Sequence, residues 1–230
     1  MTDINNATND ATNDSANYPK TALNLPKQAP QRANYDRENV HKILDEALVM
    51  QVGFVANGRP QIIPMYGVRD GASIVFHGSR KSRFMRKLAD GVELCISVTH
   101  VDGLLFGRSA FHHSMNYRSV VVHSRGHLAT DDEKAKFAAL VTNRFVAGRY
   151  DDVRVTAANE MKATDFLIVP IENVVAKIRT GDPVDDKADL DLPFWAGEVP
   201  LYTRFGTPRA AADLTAGINV PQNIRAKYGG

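Results

Sequence analysis

The sequence predicts a mainly β fold: one antiparallel barrel, Greek-key-like, carrying a few packed helices. Three features carry that prediction. The dipeptides Asn57-Gly58, Asp70-Gly71 and Asp102-Gly103 each sit between short apolar runs of period two, the pattern of tight hairpins. Helical periodicity is confined to three short stretches. The 195 residues after position 35 suit one core, since splitting them would leave two thin ones. Short strands joined by tight turns must curl or close to protect their edges.

Along the chain, residues 1–35 hold seven Asn, three Pro and few large aliphatic side chains. Such a stretch buries too little apolar surface to offset its ordering entropy, so a disordered or loosely docked tail is expected, docking through Leu23 and Leu25. Asp36 then caps a helix whose apolar face is Val40, Ile43, Leu44, Ala47 and Leu48. Strands follow at 51–57, 59–69 and 72–78, then at 92–101 and 104–113 across Asp102-Gly103. Pro64 places its strand at an edge or a bulge, because it offers no N–H to a ladder. A strand at 117–130 leads into a Thr130–Glu133 capping box, and Phe137, Leu140, Val141 and Phe145 give the helix beyond it an apolar stripe. Further strands occupy 165–171 and 173–179, and residues 181–230 read as an extended arm packed on the same 36–180 domain.

Composition narrows the function. Twenty-eight basic against 26 acidic residues, net +2, argues against a protein built to coat nucleic acid. A single cysteine, Cys95, excludes an internal disulfide framework and any Cys-rich zinc site. No apolar run reaches the ~20 residues of a membrane span, and the N-terminus lacks the pattern of a secretion signal. A reducing cytoplasm is the expected setting.

The near-neutral charge hides a local imbalance. Arg80, Lys81, Arg83, Arg86 and Lys87 place five cations in eight residues, whereas Asp182 to Asp191 holds five acids and one lysine. The basic run follows a strand ending at His77-Gly78, with Ser79 as N-cap of a helix closed by Gly91. Cations in a helix's first turn oppose its macrodipole, an arrangement that makes sense if an anion sits there. Free N–H groups, the Ser79 and Ser82 hydroxyls and the Arg/Lys side chains would suit a phosphate dianion. Taken alone the segment favours the phosphate site over a solvated basic face, with nucleic-acid backbone contact last because no aromatics interleave for base stacking.

Seven histidines show no metal-ligand spacing. His123 and His127 share a strand face but lie roughly 13 Å apart, and the adjacent His112 and His113 point to opposite faces. No metal site is expected, though a haem needs only one histidine. Cys95 sits mid-strand, where a buried inert thiol is expected. There is no nucleophile elbow, P-loop, dinucleotide fingerprint or EF-hand loop.

The strand–helix unit FHGSRKSRFMRKL (76–88) resembles the phosphate-binding segment of the pyridoxamine 5'-phosphate oxidase family. RSAFHHSMNYRSVVVHSRG (108–126) resembles its flavin-nucleotide-binding, nitroimidazole-reductase-like branch, with IRTGDPVDD (178–186) and PFWAGEVPL (193–201) extending the likeness. The resemblance implies an FMN-binding split β-barrel, homodimeric, with FMN at the subunit interface. Ser79, Arg80 and Lys81 would hold the phosphate, with Gly78, Ser82 and Arg83 nearby. Ile63, Pro64, Met65 and Tyr66 would lie along the isoalloxazine edge. Asn116, Tyr117, Arg118 and Ser119 would approach from the second strand system, from the other subunit. His77 is implied as a ligand-facing and candidate catalytic residue, beside the plainer reading of a hydrogen-bonded rim histidine. The oxidases' Arg- and Trp-bearing substrate segment is not reproduced in DLPFWAGEVPLYTRFG (191–206), so the phosphopyridoxyl substrate does not carry over. The expected function is thus an FMN-dependent oxidoreductase exchanging electrons with a small molecule, without membrane or nucleic-acid partners. The alternatives are a non-catalytic flavin carrier or sensor, or a haem- or nucleic-acid-binding barrel.

Overall fold

The structure, a computed structural model, describes residues 16–229. Its strands are β1 (Ala33–Asn34), β2 (Met50–Ala56), β3 (Arg59–Met65), β4 (Gly67–Asp70), β5 (Ser73–Ser79), β6 (Glu93–Phe106), β7 (Ser114–Arg125), β8 (His127–Leu128), β9 (Thr164–Pro170), β10 (Asn173–Arg179) and β11 (Gly197–Pro200). The helices are α1 (Arg37–Glu46), α2 (Arg83–Ala89), α3 (Lys134–Asn143), α4 (Ala158–Ala163) and α5 (Gln222–Tyr228). A seven-stranded sheet runs β1-β10-β7-β6-β2-β3, with β11 also paired to β6, and a four-stranded sheet runs β4-β5-β9-β8. Every pairing is antiparallel. The chain passes between the sheets at Tyr66, through α2, at Gly126 and after Pro170, which gives the mainly β split barrel expected. Glycines serve two crossings: a Cβ at Gly67 would meet Phe76, and one at Gly126 would meet Leu167, both under 3.0 Å away.

The main core lies inside the barrel, where Ile43, Leu44, Met50, Phe76, Leu88 and Ile96 are essentially inaccessible to water. A second cluster covers the other face of the smaller sheet, with Phe137 and Val141 of α3 on Val75, Phe166 and Ile168. This two-sided burial explains why β9 reads as a continuous apolar run. α1 is capped as expected, Asp36 accepting from the Asn39 N–H at 2.9 Å, and it buries Val40, Ile43 and Leu44; Leu48, beyond the helix, is exposed. In the capping box the Thr130 N–H and hydroxyl donate to Glu133 at 2.9 and 2.8 Å, while the helix proper begins at Lys134.

Several expectations are corrected. Asn57 and Gly58 both adopt positive φ (53° and 71°) in the first hairpin, as expected. The second turn is Gly71-Ala72, with positive φ at Gly71 only, because Asp70 already pairs with Ser73. The third hairpin does not form: β6 runs straight through Asp102-Gly103, where the register against β7 slips by one residue. The Asp102 carboxylate is held by Arg118 across the ladder, so the dipeptide marks a bulge. The actual return to β7 is a 3₁₀ turn at Ala110–His112. The strand expected over 117–130 breaks at Gly126, leaving His123 and His127 in different sheets. Pro64 lies in β3, an edge strand, as its missing N–H requires.

Residues 1–15, including most of the Asn/Thr/Ala-rich repeat, lie outside the described residues. Residues 16–35 pack on the barrel through Tyr18, Asn24 and Tyr35, while Leu23 and Leu25, the anchors expected, stay exposed. Asn24 donates to Pro19 O and Val174 O, and accepts from the Thr21 N–H, so polar bonds fix this segment where apolar contacts were expected. The arm beyond Gly181 adds β11 to the larger sheet and returns through α5, whose Asn223 and Lys227 donate to carbonyls at the end of α3.

Candidate functional site

The basic segment is built from the end of β5 and the start of α2. Ser79 pairs with Thr164 and so extends β5 by one residue past Gly78. Its carbonyl accepts from the Ser82 N–H at 2.8 Å, closing a turn, and the Ser82 hydroxyl receives the Met85 N–H at 3.5 Å. Ser82, not Ser79, is therefore the N-cap. Arg80 and Lys81 precede the helix, Arg83 opens it, and Arg86 and Lys87 lie in its last turn, where the dipole favours cations. Only Arg83 stands in the opposed position expected for the whole cluster.

Between α2 and β3 lies a hollow of ≈ 760 Å³, lined by Arg59, Gln61 and Ile63 on one side and Ser82, Arg83 and Lys87 on the other. Phe54 and Phe84, ring centroids 5.1 Å apart, complete it. Three cations face this space and no carboxylate lines it. Among the described residues the side chains of Arg59, Arg83 and Lys87 make no hydrogen bond or ion pair. Arg80 and Lys81 are exposed and outside the lining, with Arg80 near enough to Asp131 to help keep that carboxyl below its ordinary value, behind the larger effect of Lys134. Positive charge, a capping hydroxyl and an apolar floor together suit a phosphorylated aromatic molecule.

The other expected residues are placed as follows. Pro64 is exposed on the edge strand, and Met65 packs half-buried on the main core. Tyr66 turns toward α3 instead of the edge: its ring stacks on Phe145 at 4.8 Å, and burial pushes its phenol up. His77 lies 6.3 Å from Phe166 on the smaller sheet, and burial holds its imidazole below the ordinary value. A Cβ on Gly78 would meet Met85 of α2 at 2.9 Å, so this glycine sets how closely the helix packs. Asn116–Ser119 lie on β7, three strands from β3, and do not reach the hollow within one protomer. Asn116 is buried, donating to Glu198 (2.7 Å) and Gly181 O (3.1 Å) and accepting from Arg179 (2.6 Å). Arg118 grips Asp102 with two bonds of 2.9 and 2.8 Å and also reaches Glu46; those bonds hold the Asp102 carboxyl below its ordinary range. Tyr117 is half-buried and Ser119 donates weakly to Lys177 O. Of the expected set, Ile63, Ser82 and Arg83 are brought together.

Sequence reasoning missed three features. Arg59 and Gln61 join the hollow only because β3 is the edge strand facing α2. On the outer face of the larger sheet, Ile62, Gly53, Cys95, His123 and Asn173 form one row across five strands, each the register partner of the next. The row floors a groove of ≈ 530 Å³. Cys95 is half-buried on this outer face, not the buried thiol expected, and the alignment of the row depends on register, which a sequence does not reveal. His112 and His113 both bond Ser109, at 2.8 and 3.0 Å, in the 3₁₀ turn, which removes the opposite-face placement expected of them. His112 also comes near Asp186 and Asp189, with potential ligand atoms within 4.8 Å of one another, a cluster that spacing did not reveal. Among the described residues no helix is long and apolar enough to cross a membrane.

Comparison with known proteins agrees with this architecture. No curated protein matches the chain. The FAD and haem binding protein from Mycobacterium smegmatis is 34% identical over 85% of this chain and 96% of its own, with a TM-score of 0.82. The flavocytochrome Anf3 from Azotobacter vinelandii is 30% identical over 91% and 99%, with a TM-score of 0.87. A candidate 5-nitroimidazole antibiotic resistance protein from Bacteroides thetaiotaomicron shares the fold alone, at 16% identity over 64% and 86% and a TM-score of 0.54. The family model for pyridoxamine 5'-phosphate oxidase matches residues 36–178, well over half of the chain. The chain therefore belongs to the pyridoxamine 5'-phosphate oxidase family.

Proposed function

We propose that this protein is a flavin-binding redox protein with the flavin phosphate in the hollow between α2 and β3. The observation that carries the reading is the set of three cations, Arg59, Arg83 and Lys87, that face this space without an internal partner. FAD is the form proposed, in place of the FMN implied by the sequence resemblance, because the 34% identical relative is named for FAD. A bound flavin would supply one- and two-electron transfer; the chain would anchor the phosphate and present the β3 edge to the ring. Two copies would complete the site, with Tyr117 and Ser119 of each reaching the flavin held by the other. The partner in turnover would be a small-molecule electron donor or acceptor, in a reducing cytoplasm.

The absorption spectrum of the protein as isolated tests this, followed by release and mass identification of the chromophore. Flavin absorbance with FAD released is expected. A colourless protein whose melting temperature is unmoved by excess FAD or FMN overturns the reading. Oxidation of NAD(P)H with quinone or nitroaromatic acceptors would mark an enzyme; flavin without turnover would mark a carrier or sensor. The names of the two relatives, one for haem and one a flavocytochrome, favour a second reading in which a haem accompanies the flavin.

A further inference from the structure

Between the end of α1 and the returning C-terminal arm lies a further hollow, of ≈ 500 Å³, walled largely by aromatic rings. Tyr66, the first residue after β3, stacks on Phe145 with ring centroids 4.8 Å apart and planes 8° from parallel. Phe205 of the arm meets Tyr228 of α5 edge to face, also at 4.8 Å. Leu48, just beyond α1, completes the apolar wall. These groups come from five separate parts of the chain, yet Leu48, Phe145 and Phe205 keep 48%, 54% and 59% of their surface exposed. Rings gathered only to anchor the arm would close on one another as the main core does. Here they are brought together around a space.

The ionisable groups around that space are already engaged. Asp45 is held by Arg69 in two bonds of 2.9 and 2.6 Å, and Glu46 by Arg118. Arg144 donates to the Asp45 and Ala47 carbonyls, and Lys227 to the Phe145 carbonyl at 2.8 Å. The Tyr228 hydroxyl also donates to Phe145 O, and the Tyr66 hydroxyl reaches Val141 O. Two acids and two bases line the hollow, so it offers a ligand no net charge. An ion entering it would lose hydration without gaining a free partner. The hollow between α2 and β3, with three cations and no carboxylate, is the reverse case. What remains here is ring faces and edges, which favour an aromatic plane over a saturated body of equal size.

We propose that this hollow binds a neutral, planar aromatic molecule of two or three fused rings. Its volume lies within the range of small-molecule sites, about 300–1,000 Å³. Position gives the site a role. Tyr66 continues β3, whose edge would face the flavin ring, so the hollow is the seat of the small-molecule partner in turnover. That role rests on the flavin reading; the binding itself does not.

Full-length protein as isolated is titrated calorimetrically with 2-naphthol, with naphthalene-2-sulfonate and decahydro-2-naphthol as its charged and saturated analogues. One 2-naphthol per chain is expected, bound about tenfold or more tightly than either analogue. Leu48→Trp fills the hollow from an exposed position and should weaken binding about tenfold, and Phe205→Ala about fivefold, both at unchanged melting temperature. Phe194→Ala removes an equally exposed arm ring outside the hollow and should leave binding as in wild type. The titration is then repeated with saturating FAD, and unchanged affinity for 2-naphthol is expected. Displacement by FAD would show that the hollow holds the flavin ring itself, which overturns the separate site and leaves the flavin reading standing. Absence of saturable binding, or a sulfonate bound as tightly as 2-naphthol, also overturns the proposal. A protein that binds 2-naphthol here and takes up no flavin keeps the site and loses its role, so the two readings fail separately.

Discussion

Two groups of cations in this molecule are held in opposite ways. Arg108, Arg118 and Arg179 are knitted into the chain: the first two grip Asp185 and Asp102, and the third donates to Asn116 and to the Gly181 and Asp182 carbonyls. Arg59, Arg83 and Lys87 converge on one hollow and touch no acceptor of their own. Both groups contain residues that the family resemblance marks for cofactor binding, but the first stabilises the protomer and the second is left for a ligand. A motif residue with every donor satisfied is evidence about folding. One with none satisfied, beside other such residues, is evidence about binding.

The sharpest way to break this comparison is to remove the free group. Replacing Arg59, Arg83 and Lys87 together by Ala should weaken FAD binding by more than a hundredfold, since each charge-assisted contact to phosphate contributes about 1.5–3 kcal/mol. The ligand-free melting temperature should barely change, because no internal bond is lost. Calorimetric titration beside thermal melts checks both halves. Unchanged affinity would move the phosphate elsewhere, and a large drop in stability would mean the cations are structural after all.

The knitted group should behave in reverse. Arg179 is only 8% exposed, and burial pulls its guanidinium below the ordinary value without any carboxylate in contact. Arg179→Ala would leave the Asn116 side-chain oxygen without its shortest donor and open a void beside Gly181. A loss of about 2–4 kcal/mol in urea unfolding is expected. A loss under about 1 kcal/mol would show that water replaces the guanidinium and that the network adds little.

What the sequence made legible follows the same division between local and non-local causes. Asp36 as a cap, Asn57-Gly58 as a turn and β10 at 173–179 depend on neighbours in sequence, and each appears where it was read. Asp102-Gly103 misled because the same dipeptide serves a hairpin or a bulge, and the choice is made by Arg118 sixteen residues away. Ser79 misled as a cap because Thr164, far along the chain, draws it into β5. Tyr66 was read as a flavin-edge residue, and the turn after α3 supplies Phe145 to stack on it. Within the site, Ser82 and Arg83 were legible as a motif, whereas Arg59 and the Gly53–Cys95–His123 row exist only through strand order and register.

The smallest effect expected is also the one that tests the Arg118 cluster by charge alone. The Arg118 hydrogen bonds hold the folded Asp102 carboxyl below its ordinary value near 3.8, so the folded state favours the ionised form more than the unfolded chain does. That contribution is complete above about pH 4 and is lost as pH falls through the folded value. Both side chains are partly exposed, at 26% and 33%, so solvent screening limits the pair to about 1 kcal/mol. Asp102→Asn removes the titration but keeps an acceptor for the guanidinium, and Arg118 retains Glu46. Wild type should therefore exceed the variant in urea midpoint at about pH 6, and the gap should narrow steadily as pH falls below about 4. A gap that stays constant over that range would mean Asp102 acts through its shape at the β6 bulge and not through its charge. The cluster would then belong to the packing of the strand, and the contrast between knitted and free cations would rest on Arg108 and Arg179 alone.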